Sequence, residues 1–135
     1  MRFVDTNVLL YTVSRDPDER HKAAIAAAIL TDRDLALSVQ VLQEFFVQAT
    51  RRTRDDALTH EQAADLVAAF GRFPVQDTTS ELVHAAIVAK ATYGLSYWDA
   101  AIIEAARMSG CDILLTEDLS HGQDYGGVTA LDPFR

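Results

Sequence analysis

The chain has 135 residues, 49% hydrophobic and 24% charged, a composition typical of one folded domain with an apolar core. Its net charge of −8 argues, taken alone, against strong affinity for nucleic acid, because phosphate binding depends largely on Lys and Arg. The single Cys111 excludes an internal disulfide, and the sequence shows neither a signal peptide nor an apolar run of about 20 residues, so we expect a cytoplasmic protein with no membrane contact.

Short apolar segments alternate with helical segments along the chain. This order predicts an α/β fold with a parallel sheet, in a single domain over residues 1–135. Strands are predicted at residues 2–5, 35–39, 73–77, 112–115 and 128–131. Helices are predicted at residues 17–30, 40–52, 59–70, 78–93 and 96–109.

Capping patterns predict where several helices begin. Asp16 before Pro17 is typical of a helix start, since proline is favoured at the first helical position. A threonine or serine followed three residues later by Glu, Gln or Asp suggests a capping box. That pattern occurs three times, as Thr59 with Gln62, Thr78 with Glu81 and Ser96 with Asp99.

Four carboxylates lie in or at the end of apolar segments, where a charge is costly: Asp5, Glu44, Asp99 and Asp118. Asp5 and Asp118 are at or just beyond the carboxyl ends of two predicted strands. Open α/β sheets bind ligands at that edge. Glu44 and Asp99 lie near the starts of two helices, which can occupy the same edge. We therefore expect the four acids to converge.

Each acid also has a structural explanation. Asp5 could cap a short helix over residues 7–13, Asp99 could be the acidic half of its capping box, and Asp118 could shape a turn. For these three the structural and functional interpretations are evenly balanced. Glu44 differs, because its helix turn is rich in Val, Leu and Phe and offers no evident partner. Its alternative is a polar residue at the border of the apolar face.

Taken together, the acids form a set of oxygen ligands without His or Cys, which suits Mg²⁺ or Mn²⁺ rather than Zn²⁺. Such a site can orient a phosphodiester and activate water for its hydrolysis. The side chains of Thr6, Asn7 and Thr116 stand beside the acids and could orient them.

A nucleic-acid substrate would also need local positive charge. Two basic clusters could supply it, although both could equally be solvated helix ends: Arg51, Arg52 and Arg54, and Arg15, Arg20 and Lys22. Among the histidines, His121 lies near Asp118 and could touch substrate, or it could be a solvated loop residue. Tyr97 and Trp98 are expected to pack rather than to stack on bases.

Other chemistries find little support. The chain has no G-x-S-x-G motif and no glycine-rich phosphate loop, and its histidines lack zinc-ligand spacing. A receiver-like phosphoacceptor domain would also gather acids at strand ends. Here no lysine follows the last strand and no paired acids end the first, which disfavours that alternative.

The motifs resemble those of PIN-domain ribonucleases, and of the VapC-like toxins in particular. Asp5-Thr6-Asn7-Val8-Leu9-Leu10 is similar to the opening motif of that family, and Glu44 before two aromatic residues to its second acid. Trp98-Asp99-Ala100-Ala101-Ile102 and the segment from Gly110 to Asp118 resemble the third and fourth motifs, and the segment from Gly127 to Phe134 resembles the end of the toxins.

The resemblance implies a three-layer α/β/α sandwich with strand order 3-2-1-4-5 and cleavage of RNA that depends on Mg²⁺ or Mn²⁺. It also implies a homodimer and a cognate antitoxin that blocks the site, often with an arginine. Carried onto this chain, it makes Asp5 and Asp99 the primary metal ligands, completed by Asp118 and Glu44 and supported by Thr116. It assigns no role to Glu117.

The resulting hypothesis is a metal-dependent endoribonuclease that leaves 5′-phosphate and 3′-hydroxyl ends, the toxin of a toxin–antitoxin pair. A PIN-like scaffold that has lost catalysis and only binds RNA or a protein remains the alternative.

Overall fold

The computed structural model describes residues 1–135, and its strands lie where apolar segments were predicted. The strands are β1 (Arg2–Val4), β2 (Leu35–Ser38), β3 (Val75–Gln76), β4 (Ile113–Leu115) and β5 (Thr129–Leu131). The helices are α1 (Thr6–Thr12), α2 (Arg20–Ile29), α3 (Val39–Ala49), α4 (His60–Phe70), α5 (Ser80–Tyr93) and α6 (Tyr97–Met108), with a 3-10 turn at Pro17–Glu19 before α2.

The strands form one parallel sheet in the order β3-β2-β1-β4-β5. In the centre, Phe3 of β1 lies opposite Ala36 of β2 and Leu114 of β4, and all three side chains are fully buried. This arrangement confirms the predicted fold class and strand order. A receiver domain has the order 2-1-3-4-5, so the receiver alternative is wrong.

Two groups of helices cover the sheet and complete the three layers. In the first group, α1 contacts α2 and α3, and α3 contacts α4. In the second group, α5 pairs with α6, and α6 packs on β2 and β4. One continuous core joins both groups to the sheet. None of the helices combines the length and the apolar composition that a membrane crossing requires.

Several predicted boundaries are displaced for local reasons. Helix α3 ends at Ala49 instead of residue 52, because the Ala49 carbonyl accepts the N–H of Leu58 at 2.8 Å and the chain turns away. Helix α5 is capped by Thr79, whose hydroxyl accepts the N–H of Leu82, and not by Thr78. The capping-box rule selects Thr78, because Glu81 follows it by three residues, so the prediction that Thr78 caps this helix is wrong.

Candidate active site

Asp5 and Asp118 lie at the carboxyl edge of two neighbouring strands. Asp5 directly follows β1, and Asp118 follows β4 in a loop. Strand pairing places Val4 opposite Leu115, and the N–H of Asp5 donates to the Leu115 carbonyl at 3.1 Å. The predicted convergence of strand ends therefore occurs, at the edge where open α/β sheets bind ligands.

The carboxylate of Asp5 is almost fully buried, with 5% of the residue exposed. It accepts hydrogen bonds from the Thr6 N–H at 2.7 Å and the Thr116 hydroxyl at 2.8 Å. Burial raises the pKa of Asp5 to about 7; the two hydrogen bonds oppose this shift, and the charges of Asp118 and Glu44 add to it. Asp5 is also the N-cap of α1, so its predicted capping role is confirmed, while its role as a metal ligand stays a prediction.

The hydroxyl of Thr116 connects three groups of the site. Its oxygen accepts from the Asn7 side-chain amide at 3.1 Å and from the Asp118 N–H at 3.0 Å. Because two donors occupy the oxygen, its own proton points to Asp5. The fully buried Thr116 side chain thus fixes the orientation of Asp5 relative to the Asp118 loop.

Glu44 has the partners that the sequence did not reveal. One carboxylate oxygen accepts from the Thr6 hydroxyl and the other from the Gln40 side chain, both at 2.8 Å. The same Gln40 amide donates to the carbonyl of Trp98 at 3.2 Å, which ties α3 to the start of α6. Gln40 was not predicted as a partner of Glu44, although side chains four residues apart on a helix are neighbours.

Asp99 sits in the first turn of α6 and is half-buried. The Ser96 hydroxyl accepts its N–H at 3.1 Å, but the Asp99 carboxylate makes no return bond to the Ser96 N–H, so the predicted capping box is only half formed. Burial raises the pKa of Asp99, against the effect of the Ser96 hydroxyl, and the charges of Asp118 and Glu44 raise it further. All four acids are therefore electrostatically coupled.

Asn7 supplies a buried oxygen as well as donors. Its amide nitrogen lies 3.1 Å from an Asp118 oxygen and 3.4 Å from an Asp5 oxygen. Its carbonyl oxygen, Oδ1, is buried and has no hydrogen-bond donor. An unpaired buried acceptor is costly unless a donor or a cation reaches it.

The donor chemistry fits a hard divalent cation, although the side chains do not form a finished cage. Nowhere in the chain do three or more Asp, Glu, His or Cys side chains already stand in an arrangement that holds a metal ion. Glu44 and Asp118 line an opening at this edge together with Thr6 and Asn7, while Asp5 and Asp99 do not line it. Carboxylates and a free amide carbonyl are the ligands that Mg²⁺ and Mn²⁺ prefer.

A cleft of about 280 Å³ opens over this edge of the sheet. It is strongly polar, and its walls come from α1, α3, the 3-10 turn and the loops after α3 and β4. The lining residues are Thr6, Asn7, Leu10, Tyr11, Glu19, Glu44, Gln48, Arg54, Glu117 and Asp118.

Glu117, to which the family resemblance assigns no role, lines the cleft and bonds to two other segments. One oxygen accepts from the Tyr11 hydroxyl at 2.5 Å, and the other from Lys22 at 2.8 Å. Tyr11 in turn packs edge-on against Phe134, with ring centroids 4.9 Å apart. Glu117 therefore links α1, α2 and the C-terminal segment beside Asp118.

Most of the basic residues named as possible substrate contacts do not line the cleft. Arg51 lines an adjoining groove with Trp98, and this groove shares Glu44 with the cleft. Arg52 is exposed in the loop that follows α3. Arg54 is the basic residue that lines the cleft itself. His121 Nδ1 accepts the N–H of Asp132 at 3.0 Å, so this ring fastens the C-terminal segment. Substrate contacts by Arg51, Arg52 and His121 stay predictions.

Trp98 does not pack in the core, contrary to expectation. It is 64% exposed, whereas Ala100 and Ala101 in the following positions of α6 are buried. Its ring contacts Tyr97 edge-on, with centroids 5.0 Å apart. The exposed ring forms one wall of the groove that Arg51 shares.

Several solved structures share this fold at low sequence identity. A toxin–antitoxin complex from Klebsiella pneumoniae matches with a TM-score of 0.71 and 19% identity over 98% of both chains. VapC20 from Mycobacterium tuberculosis, described as a Sarcin-Ricin loop cleaving toxin, matches with a TM-score of 0.68 and 20% identity over 87% of this chain and 92% of its own. FitAcB from Neisseria gonorrhoeae matches with a TM-score of 0.68 and 18% identity over 99% of both.

No curated protein matches this sequence. The family model described as PIN domain matches residues 2–122, which include all four acids and every element from β1 to β4. The recognition made from the motifs is thereby confirmed: this chain belongs to the PIN domain family.

Proposed function

We propose that this protein is an endoribonuclease that depends on Mg²⁺ or Mn²⁺ and acts as the toxin of a toxin–antitoxin pair. One observation carries the proposal. Four acids from distant parts of the sequence are electrostatically coupled at the carboxyl edge of the sheet, where burial raises the pKa of Asp5 to about 7 and also raises that of Asp99. Such clusters of perturbed carboxylates mark functional sites, since a stable fold gains nothing from their repulsion.

The ion would be held by Asp5, Glu44, Asp99 and Asp118, with the free carbonyl of Asn7 as a further oxygen donor. When bound, it would neutralise phosphate charge and lower the pKa of water for hydrolysis. The role of the remaining residues is to hold the acids. Thr6 fixes Asp5 and Glu44, and Thr116 fixes Asp5 against the Asp118 loop.

RNA is the proposed substrate, by analogy with the Sarcin-Ricin loop cleaving toxin from M. tuberculosis. The acidic cleft and the net charge of −8 would repel a nucleic acid in the absence of a cation. Cleavage should therefore require a divalent ion, and RNA binding should be stronger when one is present. An RNA substrate is also consistent with a cytoplasmic location.

Two protein partners belong to the proposal. The first is an antitoxin with a cationic segment, supported by the toxin–antitoxin complex of the same fold and by the acidic walls of the cleft. The second is another copy of this chain. Exposed apolar side chains, including Val47, Ile87, Val88 and Trp98, offer surface that a homodimer could cover.

The decisive experiment is RNA cleavage by the purified protein with Mg²⁺, with Mn²⁺ and with EDTA, followed by mapping of the ends. We expect cleavage only with a divalent ion, 5′-phosphate ends, and loss of activity in Asp99→Asn. The matched control is Asp112→Asn, an exposed carboxylate at the opposite end of β4. Cleavage that survives both EDTA and Asp99→Asn would refute the proposal.

The alternative, a scaffold that binds RNA or protein without catalysis, makes a different prediction for Mn²⁺. A catalytic site should bind Mn²⁺ in a manner that depends on Asp5 and Asp99. A scaffold should show no Mn²⁺ binding that either variant, Asp5→Asn or Asp99→Asn, removes.

A further inference from the structure

We propose that Arg54 binds a backbone phosphate of the RNA in the cleft through its two terminal guanidinium nitrogens. The inference rests on the function proposed above and adds the residue that brings the substrate backbone to the acids. Arg54 lies in the loop between α3 and α4 and lines the same cleft as Glu44 and Asp118.

A partly buried carboxylate anchors the Arg54 side chain. Its Nε donates to one oxygen of Asp56 at 3.2 Å, and the other Asp56 oxygen accepts the N–H of Arg15 at 2.9 Å. The side chain of Asp56 is only 14% exposed. The Arg15 N–H and the Arg54 charge hold the pKa of Asp56 below its usual range, so the anchor stays ionised. Two loops thus fix the stem of Arg54.

The end of the Arg54 side chain is free. Neither Nη1 nor Nη2 donates to any acceptor of the protein, although four carboxylates line the same cleft. The other cations near carboxylates are engaged: Lys22 pairs with Glu117, and every guanidinium nitrogen of Arg107 has a partner. A fork held at Nε, with both Nη groups unpaired, is suited to bidentate recognition of phosphate.

The cleft also needs a cation that is part of the protein. Its walls carry Glu19, Glu44, Glu117 and Asp118. Arg54 is the only basic residue that lines it, since Lys22, which pairs with Glu117, does not. Arg51 lines an adjoining groove beside Trp98, which shares Glu44 with the cleft, but Arg51 does not line the cleft itself. Since affinity for a nucleic-acid backbone comes largely from Lys and Arg, Arg54 is the side chain in position to supply it. The competing explanation is that Arg54 only offsets the charge of the acids.

Binding of a fluorescent single-stranded oligoribonucleotide, measured with Mg²⁺ over a range of salt concentrations, separates these explanations. Both chains to be compared carry Asp99→Asn, which prevents cleavage during the measurement. We expect Arg54→Ala to weaken binding at least about tenfold, as for loss of a hydrogen bond to a charged group. The slope of log K against log salt should become shallower by about 0.7, the value for one phosphate contact on a single strand.

The matched control is Arg33→Ala, which removes the same charge from an exposed arginine in a distant depression. If Arg54→Ala and Arg33→Ala give the same affinity and the same salt slope, the inference is wrong. If the chain carrying only Asp99→Asn does not bind RNA and the wild type does not cleave it, the proposed function fails as a whole. The two failures are therefore distinguishable.

Two further variants keep the test independent of folding. Arg54→Lys keeps the charge and loses the fork, so it should preserve the salt slope while weakening binding. Asp56→Asn should do the same, because it leaves Arg54 charged but loosens its anchor. In the wild-type background, Arg54→Ala should raise KM more than it lowers kcat. Wild-type affinity in both Arg54→Lys and Asp56→Asn would contradict a bidentate, anchored contact.

Discussion

The hydroxyl of Thr6 donates to the carboxylate of Glu44 at 2.8 Å, across 38 positions of sequence. The backbone N–H of the same residue donates to Asp5. Thr6 thus sets the separation of two acids, one on each side of the candidate site. Replacing it should change the site without changing the fold.

Thr6→Val keeps the shape of the buried side chain and removes its donor. We expect RNA cleavage or Mn²⁺ affinity to fall about 10- to 100-fold, as for other groups that orient metal ligands. The folded state should persist, because the Thr6 N–H still caps α1 through Asp5. Isothermal titration with Mn²⁺ and a cleavage assay measure the two effects. Thr92→Val, an exposed threonine on α5, is the control, and equal behaviour of the two variants would contradict the role of Thr6.

Asp5→Asn should alter how stability depends on pH. The folded pKa is about 7 against an ordinary 3.8, so between about pH 4 and pH 7 the folded state retains a proton that the unfolded state has lost. The contribution of Asp5 to the free energy of unfolding therefore falls as pH rises through this window, and above pH 7 the full penalty remains.

Without divalent ions, Asp5→Asn should match the wild type near pH 4 and exceed it by about 1 to 4 kcal/mol above pH 7. Asparagine also caps helices well, so α1 should stay intact. Urea unfolding at a series of pH values gives the difference, and added Mn²⁺ should narrow it. A difference that stays constant from pH 4 to pH 8 would show that Asp5 is ionised normally.

Asn7→Asp should make the folded state dependent on cations. The change replaces a donor to Asp118 and Asp5 with a third negative charge. We expect a lower midpoint of thermal unfolding in EDTA, and a larger increase on adding Mn²⁺ than in the wild type. Gln123→Glu adds the same charge at an exposed loop position and should show neither effect. An equal Mn²⁺ response in wild type and Asn7→Asp would argue against an ion at this position.

Arg107→Ala should destabilise the fold without touching the site. The Arg107 guanidinium donates to Glu104, which is buried, and to the carbonyls of Tyr125 and Gly126 in the loop before β5. Removing it leaves the Glu104 carboxylate buried and unpaired, at a cost of about 3 kcal/mol. Chemical unfolding measures the loss. Arg107→Ala combined with Glu104→Gln should recover part of it, and a double variant as unstable as the single one would contradict the pairing.

The fold was predictable because its signals are local and repeated. Buried strands such as β4 appear as short apolar runs, and the N-caps Thr59 and Ser96 lie where the capping rule predicted. The acids were found because a charge within an apolar segment stands out. Thr6, Asn7 and Thr116 were named for their proximity in sequence, and the structure places each within hydrogen-bond distance of an acid.

The site contacts that could not be predicted from the sequence join segments that are distant along the chain. Gln40 reaches Glu44 along its own helix, but its second bond, to Trp98, requires the packing of α3 beside α6. The place of Arg54 in the cleft depends on Asp56 and on the N–H of Arg15, in a loop of irregular structure. Sequence periodicity predicts helices and strands, but it does not predict contacts between two irregular loops.

The bond between Thr116 and Asp5 spans 111 positions of the chain. During translation Asp5 is synthesised first, and Thr116 is added only after β4. Throughout that interval the four acids are not assembled. Under the proposed ribonuclease function, an unfinished copy would therefore be unable to cleave RNA until nearly the whole polypeptide has emerged.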